Sequence, residues 1–134
     1  MNRSAIRELA FRLIYSQEIQ KEDNIEEQIE LFLEANNLKD KNIIEYINDV
    51  LKGIELHKTE ILKLIEKNLK SDWKLERISK VDLSLLKLAI YEIKYKNLAY
   101  KIVINEVVEL AKKYGEEQSK NFVNGILASI VRER

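Results

Sequence analysis

The stretch Val81–Glu92, which reads VDLSLLKLAIYE, decides the fold that this sequence predicts. Its apolar residues do not alternate with polar ones, as they would in a half-buried strand, but recur at helical spacing. Ser79 and Asp82 stand three residues apart at the start of the run, in the pattern of a capping box. We therefore predict a central, buried helix from about residue 80 to about Lys96, apolar around much of its circumference.

The composition extends the helical prediction to the whole chain. Its 134 residues include no proline and 3 glycines, too few for the many tight turns of an α/β or all-β fold. Leu, Ile, Lys and Glu dominate, and most of these residues are good helix formers. We predict an all-α fold: a single compact helical domain over residues 1–134, with about seven helices in two packed helical-bundle halves.

Apolar residues at helical spacing place six further helices around the central one. Ser71–Lys74 interrupts this periodicity, and we place the boundary between the two halves there. The N-terminal half then covers about residues 1–71 and the C-terminal half about 72–134. The further helices are expected at about 3–20, from Asn24 through Leu33, from about Asp40 to Leu56, through Ile61–Leu69, at about 101–114, and through Phe122–Val131.

Four single residues carry local expectations. Trp73, the sole tryptophan, is expected to anchor the segment between the halves to the core. Gly115 suits the left-handed position after a helix, and Gly125 is expected to permit close approach of two helices. His57, the sole histidine, is expected to be solvated or to cap a helix.

The sequence offers no credible active site. A single histidine and the absence of cysteine exclude a histidine pair for a metal, a Cys-His dyad and a disulfide framework. The glycines are too widely separated to form a phosphate-binding loop. We therefore expect that the protein is not an enzyme and that it has no catalytic residue, no cofactor and no metal. Without an apolar run long enough to span a membrane, the sequence predicts a soluble, cytoplasmic protein.

Charge gives no global sign of a nucleic-acid partner, because 23 basic and 23 acidic side chains balance to a net charge of +0. Any such site must come from local clustering. Arg3 and Arg7 lie on one side of the first helical turn, where positive charge opposes the helix dipole. They are either solvated arginines or contacts for phosphate. An acidic surface that would repel RNA is expected from Glu22, Asp23, Glu26, Glu27, Glu30 and Glu34.

Three blocks in the last third of the chain resemble the NusB family of bacterial transcription antitermination factors. They are the stretch 81–92, the stretch INEVVELAK at Ile104–Lys112, and the stretch FVNGIL at Phe122–Leu127. The N-terminal stretch Arg7–Ser16 is also similar to that family. Parts of these blocks are similar to the N-terminal domain of a bacterial ribosomal-RNA cytosine methyltransferase family as well.

The resemblance implies an all-helical RNA-binding adaptor. In the NusB family the protein pairs with NusE, a small-subunit ribosomal protein, and the pair binds boxA RNA of nascent ribosomal-RNA transcripts. The pair then helps elongating RNA polymerase, within an antitermination complex, to resist termination. Two alternatives stay open: a helical protein-interaction module, and a relative of the methyltransferase RNA-binding domain. Whether the chain forms a homodimer is also left open.

The resemblance further implies two sets of site residues. Arginines would contact phosphates, Tyr15 would stack on a base, and polar side chains at the start of the last helix would read base edges. Tyr15 and Phe122 have core spacing too, Asp82 fits a helix cap, and Lys87 fits ordinary surface. The RNA set is Arg3, Arg7, Tyr15, Gln118, Ser119, Lys120 and Phe122, and the protein-partner set is Asp82, Lys87 and Tyr91.

The sequence departs from many NusB relatives at two of these places. Its N-terminal arginines are sparser, because Ser4, Ala5 and Ile6 separate Arg3 from Arg7. We therefore expect the lone protein to bind RNA weakly, with NusE contributing much of the affinity. Gln118 stands where many relatives carry an aspartate, and the missing negative charge should favour RNA binding.

Overall fold

The computed structural model describes residues 1–21 and 24–133, and within them it contains helices and no strand. The all-α prediction is confirmed. Glu22, Asp23 and Arg134 lie outside the described residues, and part of the predicted acidic surface with them. The α-helices are α1 (Arg3–Gln20), α2 (Ile25–Ala35), α3 (Lys41–Leu56), α4 (Lys58–Lys67), α5 (Lys80–Ile90), α6 (Tyr100–Tyr114) and α7 (Ser119–Arg132).

Short polar side chains begin four of these helices. The side chains of Asn2, Asn24 and Asp40 accept hydrogen bonds from the first free backbone N–H groups of α1, α2 and α3. Ser79 does the same for α5, since its Oγ accepts from the N–H of Asp82 at 3.1 Å. Such caps satisfy donors that have no partner within the helix. The predicted cap at Ser79 is therefore confirmed.

The centre of the fold is α5, as its sequence predicts. Seven consecutive residues from Ser84 to Ile90 are buried. The helix packs against α1 and α3 on the N-terminal side of the sequence and against α6 and α7 on the other. Because neighbours surround it, α5 needs apolar residues around its whole circumference, and this explains its lack of a polar face.

The helical segment ends at Lys96, as predicted, but its last turn is not α-helical. After Ile90 the chain forms one wider π-helical turn, Tyr91–Tyr95, in which the N–H of Lys96 bonds to the carbonyl of Tyr91 at 3.2 Å. Asn97 then takes a left-handed conformation with φ 56°. π-Turns of this kind recur at functional sites in helical proteins. This one brings Tyr91 and Glu92 into buried positions.

Gly115 and Gly125 do not have the roles that the sequence predicts for them. Gly115 has a φ of −94°, so it is not left-handed; its missing Cβ leaves room for Ser119, whose Oγ would lie 2.5 Å from it. A Cβ at Gly125 would have no neighbour within 4 Å, so Gly125 permits no close helix approach. Gly53, inside α3, is the glycine that does: a Cβ there would meet the Tyr91 ring at 2.2 Å.

His57 lies between α3 and α4 and makes no side-chain capping bond. It is half-buried, and its ring stacks on the Tyr95 ring with centroids 3.8 Å apart. His57 therefore occupies the cap position of both helices, as one of the two expectations has it, but it caps through its backbone and not through its side chain.

The segment that separates α4 from α5 has one short 3-10 turn at Leu75–Arg77, which agrees with the predicted break at Ser71–Lys74. The division into two halves at this point stays a prediction. In the described part of the chain, no helix combines the length and apolarity needed to cross a membrane.

Candidate nucleic-acid interface

The first turn of α1 places Arg3 and Arg7 in different environments. Arg3 is exposed, whereas Arg7 is only 6% exposed. The Nε of Arg7 donates to Glu92 Oε1 at 2.7 Å and its Nη2 donates to Glu92 Oε2 at 3.3 Å. Its Nη1 donates to Glu106 Oε1 at 3.1 Å. Arg7 is therefore not a solvated arginine, and its guanidinium is held by two carboxylates.

The buried carboxylate of Glu92 is satisfied by donors from two helices. Besides Arg7 of α1, the hydroxyl of Tyr46 in α3 donates to Glu92 Oε2 at 3.1 Å. Burial lowers the pKa of Arg7, but the hydrogen bond and charge of Glu92 outweigh it, and the pKa is raised. Burial and the charge of Glu92 also raise the pKa of Tyr46. Arg7 thus stays charged and the Tyr46 phenol stays protonated over the physiological range.

A cavity of about 380 Å³ opens beside this network, and its lining includes Arg3, Arg7, Tyr46 and Glu92. Arg7 therefore borders accessible space at the end of α1, even though its charge is already paired. Among residues 1–21 and 24–133, no group of three or more His, Cys, Asp or Glu side chains is arranged to hold a metal ion.

The middle of α1 is attached to the C-terminal end of α6. Glu8 accepts hydrogen bonds from Lys113 Nζ at 2.7 Å and from the hydroxyl of Tyr114. These bonds lower the pKa of the Glu8 carboxyl. The Phe11 ring lies 5.0 Å from the Tyr114 ring and 6.1 Å from the Tyr15 ring. Tyr15 is half-buried in this aromatic row, neither core nor free surface.

The turn after α6 leads directly to the predicted polar residues of α7. Gln118 is exposed and donates from Nε2 to Glu116 at 3.0 Å. Ser119 is buried, and its Oγ accepts from the N–H of Glu116 at 3.0 Å, so its hydroxyl supports the turn. Lys120 is half-buried, and its Nζ donates to the carbonyl of Glu117 at 3.2 Å. Of these residues, Gln118 is the most accessible to a ligand.

Phe122 is half-buried at the edge of the core, one helical turn after Gln118. Its ring stacks on the indole of Trp73, with centroids 5.6 Å apart and planes at 30°. The sequence predicts Trp73 as an anchor for the segment between the halves, and it does contact the first turn of α7. It nevertheless remains 43% exposed, and sequence reasoning gave it no place in the interface.

The predicted RNA-binding residues lie in two places, on α1 and at the start of α7. Arg3 and Tyr15 lie about 18 Å apart along α1, at about 1.5 Å per residue. Tyr15 connects through Phe11 to Tyr114, which immediately precedes the turn that carries Gln118. These aromatic contacts place Tyr15 beside the end of α6 and the turn that carries Gln118, whereas Arg3 lies at the other end of α1.

The three predicted protein-partner residues are all buried by their own neighbours. Lys87 Nζ pairs with Glu18 Oε1 at 2.5 Å, and the hydroxyl of Tyr91 donates to Asp49 Oδ1 at 2.8 Å. Burial raises the pKa of Asp82, whose Oδ1 has no hydrogen-bond partner among the described residues. Lys87 is therefore not ordinary surface, and partner contact by these three residues stays a prediction.

Comparison with known proteins gives a consistent result. The sequence profile of the NusB family matches residues 4–132. The transcription antitermination protein NusB of Acetivibrio thermocellus is 51% identical over 133 residues, covering 98% of this chain and 90% of that relative. The solved structure of T. maritima NusB is 32% identical with a TM-score of 0.90, covering 100% of this chain and 93% of that one. A crystal structure of the antitermination factors NusB and NusE in complex with dsRNA matches with 28% identity and a TM-score of 0.88, covering 98% of this chain and 97% of that one.

The fold defines an all-α protein whose helices pack around one buried central helix. This is the architecture of the antitermination factors with which it superposes. The chain belongs to the NusB family. The resemblance carried by the blocks within residues 81–127 is thereby confirmed.

Proposed function

We propose that this protein is an RNA-binding transcription antitermination factor that acts together with NusE. The observation that carries the proposal is its superposition, over 98% of its length, on a NusB that is bound to NusE and dsRNA. The RNA is boxA-type sequence in nascent ribosomal-RNA transcripts, and the complex helps RNA polymerase to resist termination. This action places the protein in the cytoplasm, and it requires binding rather than catalysis.

The exposed and half-buried predicted residues of α1 and of the start of α7 support RNA binding by their chemistry. Arg3 supplies a free positive charge at one end, and Gln118 supplies an amide that can both donate and accept at the other. Single-stranded RNA is read by hydrogen bonds to base edges and by stacking on aromatic rings. Tyr15 and Phe122 are half-buried, so each keeps part of its ring accessible while its position is fixed by packing.

Arg7 contributes in a different way from Arg3. Its ion pairs with Glu92 and Glu106 fix the first turn of α1 against the π-turn and α6. The hydroxyl of Ser4 also bonds to Glu106, next to Arg3. Arg7 therefore positions the N-terminal turn from which Arg3 reaches phosphate, and it is not itself the main phosphate contact.

NusE is needed because the chain alone offers little positive potential. Its net charge is +0, and Glu116 and Glu117 lie beside Gln118 in the same turn. Phosphate contacts supply most of the affinity of RNA-binding proteins, so a neutral protein with few free arginines binds weakly alone. A basic partner that contributes its own phosphate contacts would complete the site.

The proposal is tested by fluorescence anisotropy with a labelled single-stranded boxA-like RNA. The protein is titrated with and without NusE, at two salt concentrations, against a scrambled RNA and a duplex of the same boxA sequence. We expect tight, boxA-selective binding only with NusE, weaker at the higher salt. Equal binding to scrambled RNA would contradict the boxA assignment. No RNA binding by a mixture in which NusE is shown to be folded would leave a helical protein-interaction module.

A further inference from the structure

We propose that Trp73 is an additional base-stacking residue of the RNA site, receiving an unpaired base next to those contacted by the start of α7. This inference rests on the proposed RNA-binding function and extends the site onto the segment between α4 and α5. Its basis is the stacking of Trp73 on Phe122, combined with the exposure of its indole and the charges of the same segment.

Trp73 is 43% exposed, which is unusual for a tryptophan. Tryptophan is highly buried on average, because its large apolar rings gain most from leaving water. Anchoring the segment would be achieved by burying the ring completely. Instead the Phe122 ring covers part of the indole at a centroid distance of 5.6 Å, and much of the residue is left open to solvent.

The indole is held in place rather than attached to a loose loop. The N–H of Trp73 bonds to the carbonyl of Lys70 at 2.9 Å and closes a turn. Immediately afterwards the N–H of Arg77 bonds to the carbonyl of Lys74 at 3.0 Å, in the short 3-10 turn. Ile78 is buried in the core and fixes the end of the segment. A preorganised ring loses little freedom when a base stacks on it.

The position of Phe122 connects Trp73 with the rest of the proposed site. Its N–H bonds to the carbonyl of Gln118 at 3.0 Å, so the two residues lie one turn apart on the same face of α7. Gln118 can read a base edge on that face, and Phe122 separates it from Trp73. The three side chains therefore form a row in which a polar group is followed by two aromatic rings.

The charges of the segment favour RNA over an apolar protein surface as the occupant. Three basic residues are exposed within four residues of Trp73 in the sequence: Lys70, Lys74 and Arg77. The same stretch holds two acidic residues, Asp72 and Glu76, so its net charge is positive. Aromatic rings among cations are the combination that single-stranded nucleic acids bind, since bases stack while phosphates are neutralised. Any base has a π-face, so Trp73 would add affinity more than sequence selectivity.

The test uses the full chain with NusE and the single-stranded boxA-like RNA. Trp73→Leu keeps apolar contact with Phe122 but removes the flat ring, whereas Trp73→Phe keeps a smaller ring. We expect Trp73→Leu to weaken RNA binding by roughly tenfold, the loss for one stacked base, with little change in salt dependence. Trp73→Phe should lie between Trp73→Leu and the wild type. Tyr100→Leu, which removes an exposed aromatic ring at the start of α6, is the matched control and should bind normally.

Because the chain has a single tryptophan, its own fluorescence gives a second readout. Stacking should quench the wild-type emission as RNA is added, with the same midpoint as anisotropy, after correction for NusE alone. This reading needs no variant, so it holds even if Trp73→Leu proves unstable.

Normal RNA affinity of Trp73→Leu beside an intact wild-type complex, or no quenching at saturation, would overturn this inference and leave the proposed function standing. Quenching by NusE alone, unchanged by RNA, would make Trp73 a protein contact and also overturn it. No RNA binding by the wild type would overturn both proposals.

Discussion

Arg7 and Glu92 stand 85 residues apart in the sequence and form a two-point ion pair, with N···O distances of 2.7 and 3.3 Å. The pair joins the first turn of α1 to the π-turn that follows α5. Both side chains are almost fully buried, and the second carboxylate, Glu106, comes from α6. One guanidinium therefore connects three segments of the fold.

Arg7→Met should destabilise the protein strongly, because it leaves the buried charge of Glu92 without its main partner. Loss of one member of a buried ion pair costs about 3–5 kcal/mol. Urea unfolding followed by circular dichroism measures the change. Arg3→Met is the control: Arg3 is exposed in the same turn, and its loss should change stability by about 0.5 kcal/mol or less. Equal stabilities of the two variants would contradict the structural role of Arg7.

Arg3→Ala should weaken RNA binding in the presence of NusE through loss of one phosphate contact. For single-stranded RNA, one such contact contributes about 0.7 to the slope of log affinity against log salt concentration. Anisotropy titrations at several salt concentrations give this slope. Arg132→Ala removes the same charge from the last turn of α7, about 20 Å along that helix from Gln118 at about 1.5 Å per residue. If both variants lower the slope equally, the loss reflects the net charge of the protein, and Arg3 makes no specific phosphate contact.

Gln118→Asp should weaken RNA binding, because it adds a negative charge beside Glu116 and Glu117 within the proposed RNA site. Gln118→Asn has the same size as the aspartate variant without the charge, so the difference between them isolates the electrostatic effect. Anisotropy at low salt, where charge effects are least screened, is the measurement. Identical affinities of the two variants under those conditions would remove Gln118 from the interface.

Gly53→Ala and Gly125→Ala should change stability in opposite directions. A Cβ at residue 53 would meet the Tyr91 ring at 2.2 Å, so the ring must shift and loses its bond to Asp49. Overpacking of this kind costs about 1–3 kcal/mol. At residue 125 no atom lies within 4 Å, and alanine should stabilise α7 by about 0.5–1 kcal/mol. Urea unfolding of both variants measures the effects, and destabilisation by Gly125→Ala would contradict the open environment of that residue.

Glu8→Gln should make the stability of the folded protein change less as the pH is lowered. Hydrogen bonds from Lys113 and Tyr114 lower the pKa of Glu8 in the folded protein, so its stabilising effect is present above the ordinary glutamate pKa and is lost as the pH falls through the lowered one. The variant should therefore be less stable than the wild type near pH 7, and the gap should close below about pH 4. Thermal unfolding across this range tests it. Glu109→Gln, which affects a pair within α6, is the control and should give a smaller gap near pH 7.

Much of the fold follows from local sequence signals. The helices of the described chain begin and end close to the predicted places, because periodicity and caps such as Asn24 and Ser79 act over a few residues. The π-turn was missed, since Tyr91–Tyr95 continues the helical pattern and its wider turn depends on what packs around it. The roles of Gly53 and Gly125 were missed for the same reason: each is decided by the neighbour across the interface.

The candidate site was less predictable from the sequence. The partners of Arg7 are 85 and 99 residues away, and no local pattern distinguishes Glu92 from the other 22 acidic residues of the chain. The contact of Trp73 with Phe122 likewise joins two residues that α5 and α6 separate in the sequence. Without the family resemblance, Arg3 and Gln118 carry no signal that sets them apart from ordinary surface.

The attachment of α1 to carboxylates from the last third of the chain has a consequence for synthesis on the ribosome. Helix α1 cannot complete its contacts until residues 92 and 106 have been translated and have left the exit tunnel. Until then Arg7 must stay hydrated and the apolar face of α1 must stay exposed or be shielded by a chaperone. The native turn at the start of α1, and with it a fixed Arg3, therefore forms only after α6 has emerged.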